Sequence, residues 1–174
     1  MHSNELKITK DRISVIIGKQ GSTKRQIESK TKTKLDIDSK EGNVTISGED
    51  SLNVYNTVNI VTAIGRGFNP RIALLLLKDN FVLEIIDIRD FSGKSKLKQI
   101  RIKSRVIGKK GKARSIIEEI TGTHISIYGK TVSIIGEVER AFFARRAIEM
   151  LLSGSKHSSV FSWLERQHDK KIFE

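Results

Sequence analysis

Apolar and polar side chains alternate over residues 34–39 (KLDIDS) and again over 43–48 (NVTISG), with Glu41-Gly42 between the runs. A period of two on either side of a turn predicts a β-hairpin, with Leu35, Ile37, Val44 and Ile46 facing inward. The period changes to that of a helix in 51–67 (SLNVYNTVNIVTAIGRG), which stops at Gly65 and Gly67. Ahead of the hairpin, SVIIG is a short apolar run ending at Gly18, where a left-handed glycine would close a helix. A second helix is expected from Ser22, acting as its cap, to near Thr31. LKIT (6–9) reads as a short strand, so the predicted order is strand, helix, helix, strand, strand, helix.

The same order returns downstream. FVLEIIDIRDF (81–91) is a β-prone opening strand, and a helix is expected from Lys112 to about Thr121. HISIYG and TVSIIG then alternate like the first hairpin, and EVERAFFARRAIEMLL is amphipathic at helical spacing. The repetition extends to single residues. At an offset of ninety, Ile27 pairs with Ile117, Glu28 with Glu118, Thr31 with Thr121, Thr33 with Thr123 and Ile37 with Ile127. After a two-residue deletion, Val44, Ile46 and Gly48 pair with Val132, Ile134 and Gly136. Two copies of one supersecondary unit imply two copies of one fold. The expectation is an α+β chain holding two three-stranded antiparallel sheets packed against helices. The only proline, Pro70, marks the boundary. The expected divisions are a first domain over 1–68, a linker helix over 69–80 (IALLLLKDN), a second domain over 81–155 and a C-terminal tail helix over 156–174 (HSSVFSWLERQ).

Charge separates the two copies. The net charge is +12, of which residues 1–68 carry +3, residues 69–93 carry −1 and residues 94–174 carry +10. The stretch 94–117 has ten Lys or Arg and no carboxylate, and its first part, KSKLKQIRIKSR, is an insertion relative to the first copy. A field this concentrated favours a polyanionic partner. There is no cysteine, which removes disulfides and thiolate metal sites and fits a reducing compartment. The opening residues MHSNELKITKDR lack the apolar stretch of a signal peptide, and no run approaches the roughly 18 apolar residues of a membrane span. A soluble, cytoplasmic protein with no membrane association is expected.

The chemistry converges on two loops, Ile17-Gly18-Lys19-Gln20-Gly21 and Ile107-Gly108-Lys109-Lys110-Gly111. Two glycines flanking two polar residues let the backbone turn tightly and approach a ligand without an intervening Cβ. The helix that follows directs unpaired amides and the positive end of its dipole at whatever occupies the turn, and an anion suits both. Lys19, Lys109 and Lys110 add charge within the loops. Lys112 follows the second, and Lys24 and Arg114 lie one turn further along the helices. Arg101, Lys103 and Arg105 extend the basic surface of the second copy.

With these loops in this order, each half resembles a type I KH domain of βααββα order, in which a GxxG loop clamps about four nucleotides of a single strand. The resemblance implies an aliphatic groove beside each loop. Val15 to Ile17 with Leu35 and Ile37 would line the first, and Val106, Ile107, Ile125 and Ile127 the second. NPRIALLLL, FVLEIIDIRDFSGKS, RVIGKKGKARSIIEEITGTHISIYGKTVSIIG and AIEMLLSGSKHSSVFSWLE further resemble archaeal members of the family named for partnering the Nob endonuclease and the small-subunit rRNA dimethylase. That likeness implies single-stranded RNA as ligand, specifically the 3′ region of small-subunit (16S) rRNA or its precursor during ribosome maturation. It also implies contacts with the Nob-type endonuclease and with the alpha subunit of translation initiation factor two. It implies no cofactor and no enzymatic activity.

Other chemistries fit the residues less well. A nucleotide-hydrolysing P-loop needs five steps between its glycines and then Lys-Ser or Lys-Thr, whereas Gly108 and Gly111 are three steps apart. Asp36 and Asp38 share one strand face as solvated groups, and Glu118 and Glu119 read as helix surface. The four histidines have no metal-ligand spacing, and Trp163 with Val160, Phe161 and Leu164 reads as core packing. The rival to rRNA binding is a protein-interaction scaffold, or a general KH regulator without rRNA specificity. Single-stranded DNA also remains open as a ligand. Lys32, standing where the second copy has Gly122, leaves the end of the first copy's second helix undefined.

Overall fold

The computed structural model describes residues 1–172 and resolves two compact units, Met1–Asp79 and a second beginning at Asn80. In the first unit, strand β1 (His2–Lys7), helices α1 (Lys10–Ile17) and α2 (Ser22–Thr31), strands β2 (Lys34–Asp38) and β3 (Asn43–Gly48) and helix α3 (Ser51–Gly65) follow in order. A short helix α4 (Pro70–Ala73) and a 3₁₀ turn over Leu74–Leu77 complete it. The second unit repeats the set as β4 (Phe81–Asp87), α6 (Lys96–Ile107), α7 (Lys112–Thr121), β5 (His124–Tyr128), β6 (Thr131–Glu137) and α8 (Val138–Leu152). It adds a short α5 (Arg89–Ser92) before α6 and a long α9 (His157–Ile172) after α8.

Each sheet is antiparallel, with the late hairpin strand in the centre: β1-β3-β2 and β4-β6-β5. The hairpin register pairs Leu35 with Ile46 and Ile37 with Val44, so the alternating residues do share a face. Leu35, Val44 and Ile46 are buried there with Ile13, Ile16, Ile27 and Ile60, while Ile37 is half-buried. The second core repeats this with Val106, Ile117, Ile125, Val132, Ile134 and Ile148, and α9 adds Val160 and Leu164.

Several elements differ from expectation for physical reasons. β1 lies at His2–Lys7 rather than at 6–9; it is an exposed, polar edge strand whose place is set by backbone pairing with β3, from His2 opposite Gly48 to Lys7 opposite Asn43. β4 ends at Asp87, where its carboxylate accepts the Arg89 amide and guanidinium and starts α5. That same side-chain hydrogen bond holds the Asp87 pKa below the usual carboxylate range. The basic insertion folds into α6, which it lengthens to twelve residues against eight in α1. The tail helix runs for sixteen residues, from His157 to Ile172, and residues 173–174 of the expected span lie outside the described residues. Ser22 is the first residue of α2 rather than its cap, a position taken by Gly21. Lys32 ends that helix at φ 56°, ψ 40°, close to the φ 66°, ψ 30° of Gly122, so the two copies share one cap geometry.

Arginine closes the last helix of each module. Arg12 donates from Nε to Ile64 O and from Nη2 to Phe68 O, at 2.7 and 2.9 Å. Arg105, from α6, donates through both Nη groups to Leu151 O and Ser155 O. The terminal carbonyls of a helix have no partner within it, so each guanidinium satisfies one of them, Ile64 O or Leu151 O, complements the dipole, and holds the segment just beyond the helix through Phe68 O or Ser155 O. His157 then donates from Nε2 to Arg105 O at 2.8 Å, since a carbonyl can only accept. The start of α9 is thereby tied to the end of α6.

Both α1 and α6 end in a glycine at positive φ but extended ψ: φ 72°, ψ 179° at Gly18 and φ 75°, ψ 174° at Gly108. This is not the left-handed helical cap expected from sequence but a region essentially restricted to glycine. A Cβ on Gly108 would lie 2.6 Å from the Ala113 Cβ and backbone N, whereas one on Gly111 would meet nothing within 4 Å. Gly108→Ala should therefore cost at least about 2 kcal/mol of unfolding free energy by urea titration, and Gly111→Ala about 1 kcal/mol, from left-handed backbone strain alone. Arg105→Ala should cost about 2 kcal/mol through removal of its charged hydrogen bonds, with Arg101→Ala, on the exposed face of the same helix, changing stability by less than about 0.5 kcal/mol.

Candidate nucleic-acid interface

Between α1 and α2, and again between α6 and α7, the chain makes one tight turn closed by a hydrogen bond from Gly21 N to Gly18 O and from Gly111 N to Gly108 O, each 3.2 Å. The first intervening residue, Lys19 or Lys109, is helical, and the second is left-handed: φ 54°, ψ 30° at Gln20 and φ 56°, ψ 30° at Lys110. A helical residue followed by a left-handed one turns successive amides toward a common point, the backbone arrangement that cradles anions. Left-handed backbone is costly for a side chain other than glycine, and strain of this kind concentrates at functional sites. Gly21 and Gly111 then stand at the caps of α2 and α7, where they offer no side-chain acceptor to the first amides of those helices.

The helix behind each loop is fixed to the neighbouring strand by a carboxylate. Glu28 Oε2 accepts Leu35 N at 2.9 Å and Glu118 Oε2 accepts Ile125 N at 3.3 Å. The other oxygens pair with Lys24 at 3.7 Å and with Arg114 at 3.2 Å, the latter an ion pair without hydrogen-bond alignment, which leaves the buried Arg114 Nε without a hydrogen bond. Glu118 is thus not plain helix surface, although Glu119 is exposed. One turn later Thr31 and Thr33 bond each other at 2.7 Å, as Thr121 and Thr123 do at 2.8 Å. Three of the repeated pairs, Glu28 with Glu118, Thr31 with Thr121 and Thr33 with Thr123, thus tie this helix to the strand that follows it.

The charged residues picked out by sequence fall into two groups. Arg105 holds the α8 terminus, Lys103 donates to Gly129 O at 3.0 Å, and Lys24 and Arg114 carry their own glutamates. By contrast Lys94, Lys96, Lys98, Arg101, Lys109, Lys110 and Lys112 have no side-chain hydrogen bond or ion pair among the described residues. In the first loop Lys19 is of this kind among the described residues, and the Gln20 carbonyl is held by Arg25 Nη1 at 2.8 Å. The cation density around the second loop is therefore available to a ligand.

The groove residues divide similarly. Ile16, Leu35, Val106 and Ile125 lie in the cores with 5% exposure or less, so of the aliphatics expected along the grooves these four serve as core. Val15, Ile17 and Ile37 remain half-buried in the first module, as do Ile107 and Ile127 in the second. Apolar alternation marks a strand's inner face but does not tell floor from lining. No local pattern points to Arg105 as a helix clamp, because its acceptors lie 46 and 50 positions away. The described residues contain no group of three His, Asp or Glu able to hold a metal, and no described helix is long and apolar enough to cross a membrane.

Comparison with known proteins agrees with this geometry. A family model described as a eukaryotic-type KH domain (KH-domain type I) matches residues 82–169, and a KH domain model matches residues 3–63. A KH domain-containing protein of Methanocaldococcus jannaschii is 49% identical over 95% of this chain and 74% of its own length. The pre-rRNA-processing protein PNO1 of Chaetomium thermophilum is 32% identical over 60% of this chain, a match that spans only 41% of that relative. Among solved structures, a chain of the a/eIF2alpha–aDim2p–rRNA complex from Pyrococcus horikoshii superposes with a TM-score of 0.90 at 46% identity, covering 97% of this chain and 95% of that one. The paired type I modules, their loops and these likenesses converge: the chain belongs to the PNO1/Dim2 family of KH-domain proteins, alongside its archaeal members.

Proposed function

We propose that this chain is a non-catalytic factor that binds single-stranded RNA at the 3′ region of small-subunit rRNA, or its precursor, and assists its maturation. The observation that carries the reading is the second glycine loop, an amide cradle with Lys109, Lys110 and Lys112 around it and no carboxylate paired to them among the described residues. The RNA-facing set is Gly108, Lys109, Lys110, Gly111 and Lys112 with Ile107 and Ile127 beside them, and Arg101 on the same helix as the loop's entry. Gly18, Lys19, Gln20 and Gly21 form a weaker second site, and tethering the two raises avidity without new contacts. Lys24, Lys103, Arg105, Arg114 and Ile125 contribute by holding these groups in place.

The choice of RNA rests on the relatives: the fungal one is named for pre-rRNA processing, and the Pyrococcus one forms a complex with rRNA and the alpha subunit of initiation factor two. The same alpha subunit and a Nob-type endonuclease are the proposed protein partners. RNA of that region should bind more tightly than a scrambled strand of equal length in a competition assay; equal binding would leave the rRNA specificity unsupported.

Changing Lys109 and Lys110 together to Asp should weaken binding of a single-stranded rRNA 3′-end oligonucleotide roughly a hundredfold or more, at about 1.5 kcal/mol for each charged hydrogen bond to phosphate that is removed. The same change at Lys19 and Gln20 should cost only a few-fold by fluorescence anisotropy, and equal losses would refute the ranking of the two loops. The wild-type affinity should fall linearly on a log-log plot against salt, and replacing Lys109 and Lys110 by Ala should make that slope shallower by about 1.4, at about 0.7 per phosphate neutralised.

A further inference from the structure

Beside the second loop lies an open cleft of about 370 Å³, walled by Gly108, Lys109, Lys112, Ala113, Ile116, His157 and Phe161. Its walls come from the loop, α7 and α9, and β5 contributes none of them, so it is separate from the aliphatic groove at Ile107 and Ile127. Ala113, Ile116 and Phe161 make an apolar interior. Lys109 and Lys112 are exposed at its rim, and no carboxylate lines it. At the low end of the roughly 300–1,000 Å³ typical of small-ligand sites, the volume suits one flat group rather than a helix or a strand.

Its aromatic wall is held in place. Phe161 packs against the core of the unit, and its ring lies 6.0 Å from that of His157 at a tilt of 56°. The His157 ring is fixed by its bond to Arg105 O, and Arg105 is fixed by its own fork onto Leu151 and Ser155. α9 lies against both α7 and α8, whereas α4, which follows the last helix of the first module, lies against α3.

We propose that this cleft is a nucleotide subsite, in which the base next to those held at the second glycine loop stacks on Phe161 while its phosphate meets Lys109 and Lys112. The proposal rests on the RNA reading of the loops and extends it. An apolar interior with an aromatic wall suits a base, because every base offers a π-face to stack. The cationic rim without carboxylates suits the phosphate attached to it. The glycine at the shared border admits close passage of a backbone, so a strand leaving the loop enters the cleft without a break. On this reading α9 is part of the RNA site rather than a cap on the core alone.

The test is a length series of single-stranded RNA from the rRNA 3′ end, starting from about four nucleotides, the span of one glycine loop, and extended singly at either end. Binding to the full chain is measured by anisotropy for wild type, Phe161→Leu and Phe161→Tyr. One extension should tighten wild-type binding about tenfold, as expected for one stacked base. Phe161→Tyr should keep that gain and Phe161→Leu should lose it, and removing the base at that nucleotide should abolish it in wild type with no further effect in Phe161→Leu. Unchanged binding of the shortest strand by Phe161→Leu shows that the module is still folded. If Phe161→Leu retains the full gain while Lys109→Asp with Lys110→Asp still weakens the shortest strand, the subsite is refuted and the cleft belongs to another kind of partner. If the lysine changes leave the shortest strand unaffected, the reading of the loop itself fails.

Discussion

A carboxylate in the middle of the helix behind each glycine loop supports the geometry on which the rest depends. Glu28 and Glu118 accept the amides of Leu35 and Ile125, residues on the edge strands of their sheets. An edge strand leaves alternate amides without a partner in the ladder, and a buried amide left unpaired is costly. One side chain therefore satisfies the strand and anchors the helix. The threonine pairs Thr31 with Thr33 and Thr121 with Thr123 fasten the turn between the same two elements. With the C-terminal half of the helix fixed, its N-terminus stays aimed at the loop, and strain at Gln20 and Lys110 is maintained by the fold instead of relaxing.

The two loops share a backbone but not an electrostatic environment. In the first, Arg25 holds the Gln20 carbonyl and Lys24 faces Glu28, so much of the local charge is engaged. In the second, Ser115 stands where the first has Arg25, and the lysines of the loop are exposed. Residues 94–117 hold no carboxylate, and Lys96, Lys98 and Arg101 on α6 and Lys109 and Lys110 in the loop have no side-chain hydrogen bond or ion pair among the described residues. Their mutual repulsion opposes folding slightly and favours any polyanion that relieves it. Arginine and lysine divide the labour accordingly. The planar fork of Arg105 holds the Leu151 carbonyl at the end of α8 and the Ser155 carbonyl beyond it at once, which a point-charge ammonium cannot do in that geometry, while the lysines of the loop remain exposed.

The C-terminal helix links these themes. Through His157 and Arg105 it is joined to the helix that enters the second loop, and through Val160 and Leu164 it belongs to the same core. Phe143 adds to this packing, meeting Trp163 edge-on at 6.0 Å. Packing thus explains Trp163, as its apolar neighbours suggest. Phe161, four residues after His157, stands at the edge of that core and faces the loop cleft.

The linear pattern by itself determined the duplication, the α+β order of each unit, the hairpin register and the position of both loops, because alternation, helical periodicity and glycine act over a few neighbouring residues. The same local logic failed where partners are distant. β1 is a polar edge strand positioned only by its ladder with β3, and the sequence pattern assigns no element to the basic insertion, which forms most of α6. Tertiary structure alone separated Arg105 from Lys109 and Lys110, placed Ile16, Leu35, Val106 and Ile125 beneath the surface, and brought α9 to the loop. A charge or an aliphatic residue is available to a ligand only if nothing folded against it has already taken its hydrogen bonds or its surface. That is decided by neighbours dozens of positions apart in the chain, which no period along it encodes.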